Sequence, residues 1–397
     1  MQTSDTSKSN ILYLDSGSGI GGGQRSLLLL LNLLDKERFT PFVGCLGDSP
    51  FAAEVEKTEA SVVPLSLPAA HNKTDKVKRF TLGDLLEDFR QLRVIRQLHR
   101  TVKRHAIDLI HANSLSVALL GGIVARINRI PILMHKRYAT SYGILDRLCE
   151  RLLHRVILVS EATRWNFAPE AKQTLIYNGV DLDAFQASPK EVETLRAELF
   201  SDVSDASLLA GVVTRITPEK GIHFLIHAMA ELNGLSSMTE TPIKLLIVGG
   251  PYFEKDVDYM KELKQEVADL GVEDSVIFTG FLSDTRVVTS LLDIMLVPSI
   301  IPEACPRTII EALAVGKPVI ATPLGGSKEL VTPETGILVP PEDASAIADA
   351  IATLAADQER LTAMGKAARD RAVQLFSSEK NTALTEAVYT ELLTASG

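Results

Sequence analysis

Short apolar runs alternate with amphipathic stretches along most of the chain. Residues 10–15 (NILYLD) form an apolar run that ends in the glycine-rich segment 17–23, and residues 24–34 read as a leucine-rich helical segment. The order predicted is strand, loop, helix. Further strands are predicted at 39–46 (FTPFVGCL), 61–65, 107–112 (IDLIHA), 132–135, 155–159 and 173–177, with helical patterns between them. Strands that alternate with helices require a parallel sheet covered on both faces, because a crossover helix lies over the sheet to connect parallel neighbours. Asn178-Gly179-Val180-Asp181 is a turn signal, followed by a polar stretch containing Pro189. The rhythm then restarts, with predicted strands at 208–213, 243–248, 275–279, 294–297, 318–321 and 336–339, and alanine-rich helical stretches at 344–376 and 379–393 close the chain. Two Rossmann-like doubly wound α/β domains result. Ligands of such sheets bind beyond the carboxyl ends of the strands, so the chemistry is expected in a cleft that the two domains share.

The length, 397 residues, exceeds what one hydrophobic core usually serves and agrees with two domains. With 46% hydrophobic and 23% charged residues, the composition excludes a disordered or fibrous chain. Cys45, Cys149 and Cys305 lie far apart without C-x-x-C spacing, which argues against a disulfide framework and a thiolate zinc site and for a reducing compartment. The longest apolar run, 27–34, is broken by Asn32 and falls far short of the roughly 18–20 residues that a membrane span requires. Residues 1–10 are polar, so no secretory signal is expected, and the reading is cytoplasmic.

A net charge of −9 argues against a dedicated nucleic-acid binder. The charge is divided unevenly. Residues 1–180 hold 24 Lys and Arg against 17 Asp and Glu, a net +7, whereas residues 181–397 hold 17 against 33, a net −16. The first domain is therefore expected to meet something anionic. Residues 73–104 concentrate ten basic side chains against four acidic ones and include a helical pattern at 82–98. A solvated helix, an anionic acceptor and an anionic lipid surface all fit this stretch.

Candidate chemistry sits at the predicted strand ends. Gly17-x-Gly19-x-x-Gly22 has the spacing of a dinucleotide loop, in which glycines admit a pyrophosphate to a helix N-terminus, but the acidic residue expected about 20 positions on is poorly matched by Asp48. Arg215 and Lys220, within VTRITPEKG, place two cations beyond a strand, where they suit a diphosphate leaving group. Downstream, PSIIPEACPRTIIEALA puts Glu303 before a helix and Glu311 within it. A carboxylate can accept two hydroxyls of one sugar, and the donors at a helix start can hold hydroxyl or phosphate oxygens.

At these residues the chain resembles the retaining glycosyltransferases of family four, which have the GT-B fold. The resemblance covers nearly the whole sequence: the glycine loop, DLIHA, Asn-Gly-Val-Asp, the R-x4-K pair, E-x7-E, Gly316-Lys317-Pro318-Val319-Ile320, Gly325-Gly326, and a terminal helix that in the family crosses back to the first domain. It implies an acceptor-binding domain at 1–183, a nucleotide-sugar-binding domain at 184–376 and a returning helix at 377–397. It also implies that Arg215 and Lys220 bind the donor diphosphate, Glu303 lies at the donor sugar, Glu311 holds the ribose, and main-chain groups around Arg307 and Thr308 contact sugar or phosphate. Gly21 and Gly22 would let the first loop approach the diphosphate, and Phe281 falls where the base-contacting loop lies.

Two departures from the family pattern matter. Ala304-Cys305-Pro306 stands between the glutamates where Gly-Phe-Gly is frequent, and proline has no N–H to offer. The frequent His-x-His is here His111-Ala112-Asn113, so Asn113, which can hydrogen-bond a sugar hydroxyl but cannot act as a base, replaces the second histidine. Asn113 and His135 are the acceptor-binding candidates, whereas His111 reads as a packed histidine.

The resemblance implies no metal cofactor. The two D-x-D sequences, Asp181/Asp183 and Asp256/Asp258, lie away from where this fold binds diphosphate and read as solvated. The function implied is transfer of a sugar from a nucleotide-diphosphate sugar, UDP favoured, to a glycan, glycolipid or small-molecule acceptor, in cell-envelope or extracellular glycan synthesis, with peripheral membrane contact through the basic first domain. An NAD-dependent oxidoreductase using the first glycine loop and a non-catalytic nucleotide-sugar-binding protein are the alternatives.

Overall fold

The computed structural model describes residues 8–17, 19–67, 89–200, 207–234, 241–251 and 254–395. The chain forms two compact units: the first contains the described residues up to Gly179 together with those from Ser378 onward, and the second runs from Val180 to Ser377.

The first unit is built on β1 (Ser9–Leu14), β2 (Phe39–Cys45), β3 (Ser61–Pro64), β4 (Leu109–Ala112), β5 (Ile132–Lys136), β6 (Arg155–Leu158) and β7 (Gln173–Leu175). They form one sheet in the order β3-β2-β1-β4-β5-β6-β7, every neighbouring pair parallel. All residues of β4 and β5 are buried, as expected of strands with helices on both faces. Consequently His111 on β4 and His135 and Lys136 on β5 lie in the interior at 1%, 6% and 2% exposure.

The second unit repeats the plan with β8 (Leu208–Val213), β9 (Ile243–Val248), β10 (Val276–Gly280), β11 (Ile294–Val297), β12 (Val319–Ala321) and β13 (Gly336–Leu338), ordered β10-β9-β8-β11-β12-β13 and again parallel throughout. In both sheets the order reverses beside the first strand, between β1 and β4 and between β8 and β11. At such a reversal the two flanking loops leave on opposite faces, and a crevice opens at the carboxyl ends of the strands.

The last helix, Ser378–Thr394, belongs to the first unit. It buries Val388, Tyr389 and Leu392 among Ile11, Tyr13 and Leu27, and each apolar side chain so buried contributes about 1.5–3 kcal/mol. Its Glu386 carboxylate accepts from the Asp35 backbone N–H at 2.7 Å. The helix Phe89–Arg104 packs Val94, Leu98 and Val102 inward at one-turn spacing and leaves Arg93, Arg96, Arg100, Lys103 and Arg104 exposed. The basic segment 73–88, with most of the first half of the 82–98 helical pattern, lies outside the described residues. No described helix is long and apolar enough to cross a membrane.

Candidate active site

In the second unit the loops that follow β8 and β11 are stitched together. The Ile300 backbone N–H donates to the Glu219 carbonyl at 3.0 Å. Gly221 holds φ +67°, and a Cβ there would come 2.2 Å from the Pro298 carbonyl oxygen, so only glycine permits this approach. The stitching brings Lys220 and Glu303 together: Lys220 Nζ lies 2.9 Å from Glu303 Oε2, the two side chains 16% and 21% exposed. Ser299 Oγ donates to the other carboxylate oxygen. The Glu303 main chain is fixed as well, its carbonyl accepting from Gly326 N–H at 2.7 Å. Gly325, at φ +59°, passes so near that a Cβ would meet this carbonyl oxygen at 2.1 Å.

The helix Arg307–Ala314 starts immediately after this loop, with Pro306 as its N-cap. Its first residue reaches one turn ahead, Arg307 Nε donating to Glu311 Oε1 at 3.2 Å, and Glu311 is 6% exposed. Thr308 is half-buried in the first turn, and Arg215 is exposed in the loop after β8. Arg215, Lys220, Glu303, Arg307, Thr308 and Glu311 thus all lie on the two connections that leave the reversal between β8 and β11. Phe281 stands apart beyond β10, 76% exposed. Half-buried ion pairs of this kind hold the side chains in place.

The corresponding point of the first unit has a different character. Asp15, directly after β1, accepts from Gly17 N–H at 2.7 Å and Gln24 Nε2 at 2.8 Å through one oxygen, and from Asn113 Nδ2 at 2.5 Å through the other. Gly21 caps the helix Gly22–Leu33, so Gly22 is already helical, and both glycines are exposed. Asn113 is 6% exposed, and its carbonyl accepts from Arg137 Nε at 2.6 Å; Arg137 also donates to Asn178 Oδ1 at 2.6 Å. Asn113 is therefore already engaged on both sides by Asp15 and Arg137.

Deeper in, His111 Nδ1 lies 2.6 Å from Tyr389 Oη, and His111 Nε2 lies 2.8 Å from His135 Nδ1. Burial, helped by the Arg137 charge, pushes the His111 imidazolium down to about 3 and holds His135 well below its ordinary range. Both rings are neutral near pH 7. His111 is thus a packed, hydrogen-bonded histidine.

One expectation fails. Asp256 is 1% exposed in the first turn of the helix Glu254–Asp269, not solvated, while Asp258 is exposed and pairs with Lys261 at 2.8 Å. A carboxylate in the first helical turn is stabilised by the unpaired N–H groups there, which explains how Asp256 can be buried. Arg137, Asn178, Asp15 and Tyr389 were not anticipated. Arg137 stood in a Met-His-Lys-Arg run with no diagnostic spacing, and Tyr389 lies 278 residues from the histidine that it meets.

Known proteins resemble the chain throughout. The family described as Glycosyltransferase Family 4 matches residues 20–184, and the one described as Glycosyl transferases group 1 matches residues 199–371. The chain belongs to the family-four glycosyltransferases, with the GT-B fold. It is 28% identical over 326 residues to the lipopolysaccharide core biosynthesis mannosyltransferase LpcC of Rhizobium leguminosarum bv. viciae, covering 80% of this chain and 88% of that one. To the lipopolysaccharide core biosynthesis mannosyltransferase LpsB of Rhizobium meliloti it is 29% identical over 227 residues, covering 56% of this chain and 62% of that protein, so the match spans less than two thirds of that relative. Among solved structures it resembles Anabaena Alr3699/HepE, crystallised with UDP, with a TM-score of 0.80, 26% identity, and coverage of 96% of this chain and 100% of that one.

Proposed function

We propose that this glycosyltransferase is a retaining enzyme that moves a sugar from a nucleotide-diphosphate sugar, with UDP as the favoured carrier, to a glycan or glycolipid acceptor of the cell envelope. The observation that carries the reading is the gathering of Lys220, Glu303, Arg307 and Glu311 on the connections that leave one sheet reversal, with Arg215 in the same loop as Lys220. Two carboxylates and three cations at a strand-end crevice match the two halves of a nucleotide sugar: hydroxyls for the former, diphosphate for the latter. The crystallisation of HepE with UDP supports uridine, and the names of the rhizobial relatives support an envelope glycan.

In this reading Arg215 and Lys220 hold the diphosphate, which draws Lys220 from Glu303 and frees that carboxylate for hydroxyls of the donor sugar. Glu311, oriented by Arg307, takes the ribose. The bond between the sugar's anomeric carbon and the diphosphate oxygen breaks, the acceptor oxygen bonds to the same face of that carbon, and the acceptor's proton passes to the departing oxygen. Configuration is retained without a protein nucleophile, and the two cations stabilise the charge that develops on the leaving group. The first unit takes the acceptor, with Asn113 acting as a clamp between Asp15 and Arg137.

The test is the thermal stability of the wild type and of Glu311→Ala with saturating UDP, GDP, ADP or NAD. A nucleoside diphosphate at about a hundred times its dissociation constant stabilises the wild type by about 2.7 kcal/mol, and the variant loses that response. Stabilisation by NAD alone, unchanged in the variant, overturns the proposal.

A further inference from the structure

In the second unit the Glu303 carboxylate is held by two groups of different kind. Lys220 Nζ meets Oε2 at 2.9 Å, and Ser299 Oγ donates to Oε1. In the reading proposed above the ammonium has a second task, because it also holds the donor's diphosphate. The hydroxyl has no such task. It carries no charge to be drawn toward a phosphate, and it occupies the oxygen that Lys220 leaves alone.

Ser299 is well placed to hold a neighbour because it is itself held. It lies two residues beyond the end of β11 and is 3% exposed. Its carbonyl accepts from Thr322 Oγ1 at 2.6 Å. Thr322, directly after β12 and 1% exposed, also donates its backbone N–H to the Val297 carbonyl at 3.2 Å, so one threonine fastens the end of β11 to the next strand. From Ser299 the chain bends over Ile300 and Ile301, and this bend brings together two side chains four positions apart outside any helix. Both ends of the bend are fixed, Ser299 by Thr322 and the Glu303 main chain by Gly326. What remains free in Glu303 is rotation of its long side chain.

An ionised carboxylate has about four directions from which it accepts hydrogen bonds. Ser299 and Lys220 take one on each oxygen. Among the described residues no other side chain donates to this carboxylate, and the Glu303 side chain stays 21% exposed. The remaining directions are therefore left for a ligand.

We infer that Ser299 is a positioning residue for the donor sugar: through Oε1 it keeps the Glu303 carboxylate turned toward the sugar's hydroxyls while Lys220 is engaged by the diphosphate. The inference rests on the glycosyltransferase reading. It is distinct from a role in the frame of the loop. The Ile300 N–H joins this loop to the one that carries Lys220, so loosening the frame would weaken diphosphate and sugar binding together, whereas releasing Glu303 alone would weaken only the sugar's share.

The experiment is titration calorimetry of the full chain with two pairs of probes, UDP with UDP-glucose and GDP with GDP-mannose, on the wild type, Ser299→Ala, Glu303→Ala and the double variant. In the pair that binds, the ratio of the nucleotide-sugar Kd to the nucleoside-diphosphate Kd is expected to rise about fivefold to tenfold in Ser299→Ala, the loss of one hydrogen bond to a charged group. The Kd of the diphosphate itself stays within about twofold, which also shows that the variant is folded. In the Glu303→Ala background the serine change adds nothing, because Ser299 then has no carboxylate to hold. A ratio unchanged in Ser299→Ala, a diphosphate Kd that rises with the sugar's, or a further rise in the ratio in the double variant overturns the inference and leaves the donor site standing. Absence of binding of both pairs to the wild type defeats the glycosyltransferase reading, and the role of Ser299 with it.

Discussion

The two sheets reverse their strand order in the same way, yet the side chains at the two reversals differ in kind. Beside β1 and β4, polar groups are consumed internally: Asp15, Asn113, Arg137 and Asn178 bond to one another at 2.5–2.6 Å, and the histidines behind them are neutral. Beside β8 and β11 stand charges in loosely covered pairs, Lys220 with Glu303 and Arg307 with Glu311, at 8–21% exposure. A shared topology supplies the crevice. The residues decide whether it is lined by polar groups that satisfy one another or by partly exposed ion pairs.

The sharpest way to break this contrast is to remove a cation from the second unit. Lys220→Met is expected to reduce the transfer rate by about 100- to 1,000-fold, the loss usual when one preorganised group facing a developing charge is deleted, while the urea midpoint shifts little. A rate within threefold of the wild type, measured with a UDP-sugar, removes Lys220 from the chemistry. Next in size, Glu311→Ala abolishes the roughly 2.7 kcal/mol of stabilisation by a saturating nucleoside diphosphate, and differential scanning calorimetry reads this directly.

Gly325→Ala probes the frame rather than the charges. Its positive φ and the 2.1 Å approach to the Glu303 carbonyl leave no room for a methyl group, so about 2 kcal/mol of stability is lost and Glu303 is displaced. Urea unfolding measures the first effect, and a weaker response to UDP-sugar than to UDP measures the second.

The first unit is sharpened by pH. His111 and His135 are held neutral in the folded protein and titrate near 6.5 in the unfolded chain. The unfolded state therefore binds protons first as pH falls. The stability present above about pH 6.5 is lost from there down toward the folded His111 value of about 3, at up to about 1.4 kcal/mol per pH unit for each histidine. Urea midpoints between pH 7 and 4 should fall less steeply in His111→Gln than in the wild type, and parallel slopes would show that the burial of His111 is not linked to protonation.

Where the candidate residues lie was legible because it follows from local pattern. Arg215 and Lys220 sit where an apolar run ends, and Glu303 and Glu311 flank a helix start, so short-range spacing was enough to put these candidates on the two connections that leave β8 and β11. Asn113 was legible as a position but not as a contact. Whether its amide faces solvent or is already spent depends on Asp15 and Arg137, 98 and 24 residues away. Asp256 misled for the same reason, since a D-x-D pattern does not reveal which aspartate a helix start will bury.

The sequence by itself determined the elements and their order. A strand buried on both faces is mostly apolar and a crossover helix is amphipathic, and both patterns are set within a few consecutive residues. Only the tertiary structure decided which polar groups satisfy one another. The pairing of His111 with Tyr389 joins residues 278 positions apart, and that of His111 with His135 joins two different strands. Hydrogen bonds act over about 3 Å, and no local pattern records which distant side chain the fold will bring within that reach.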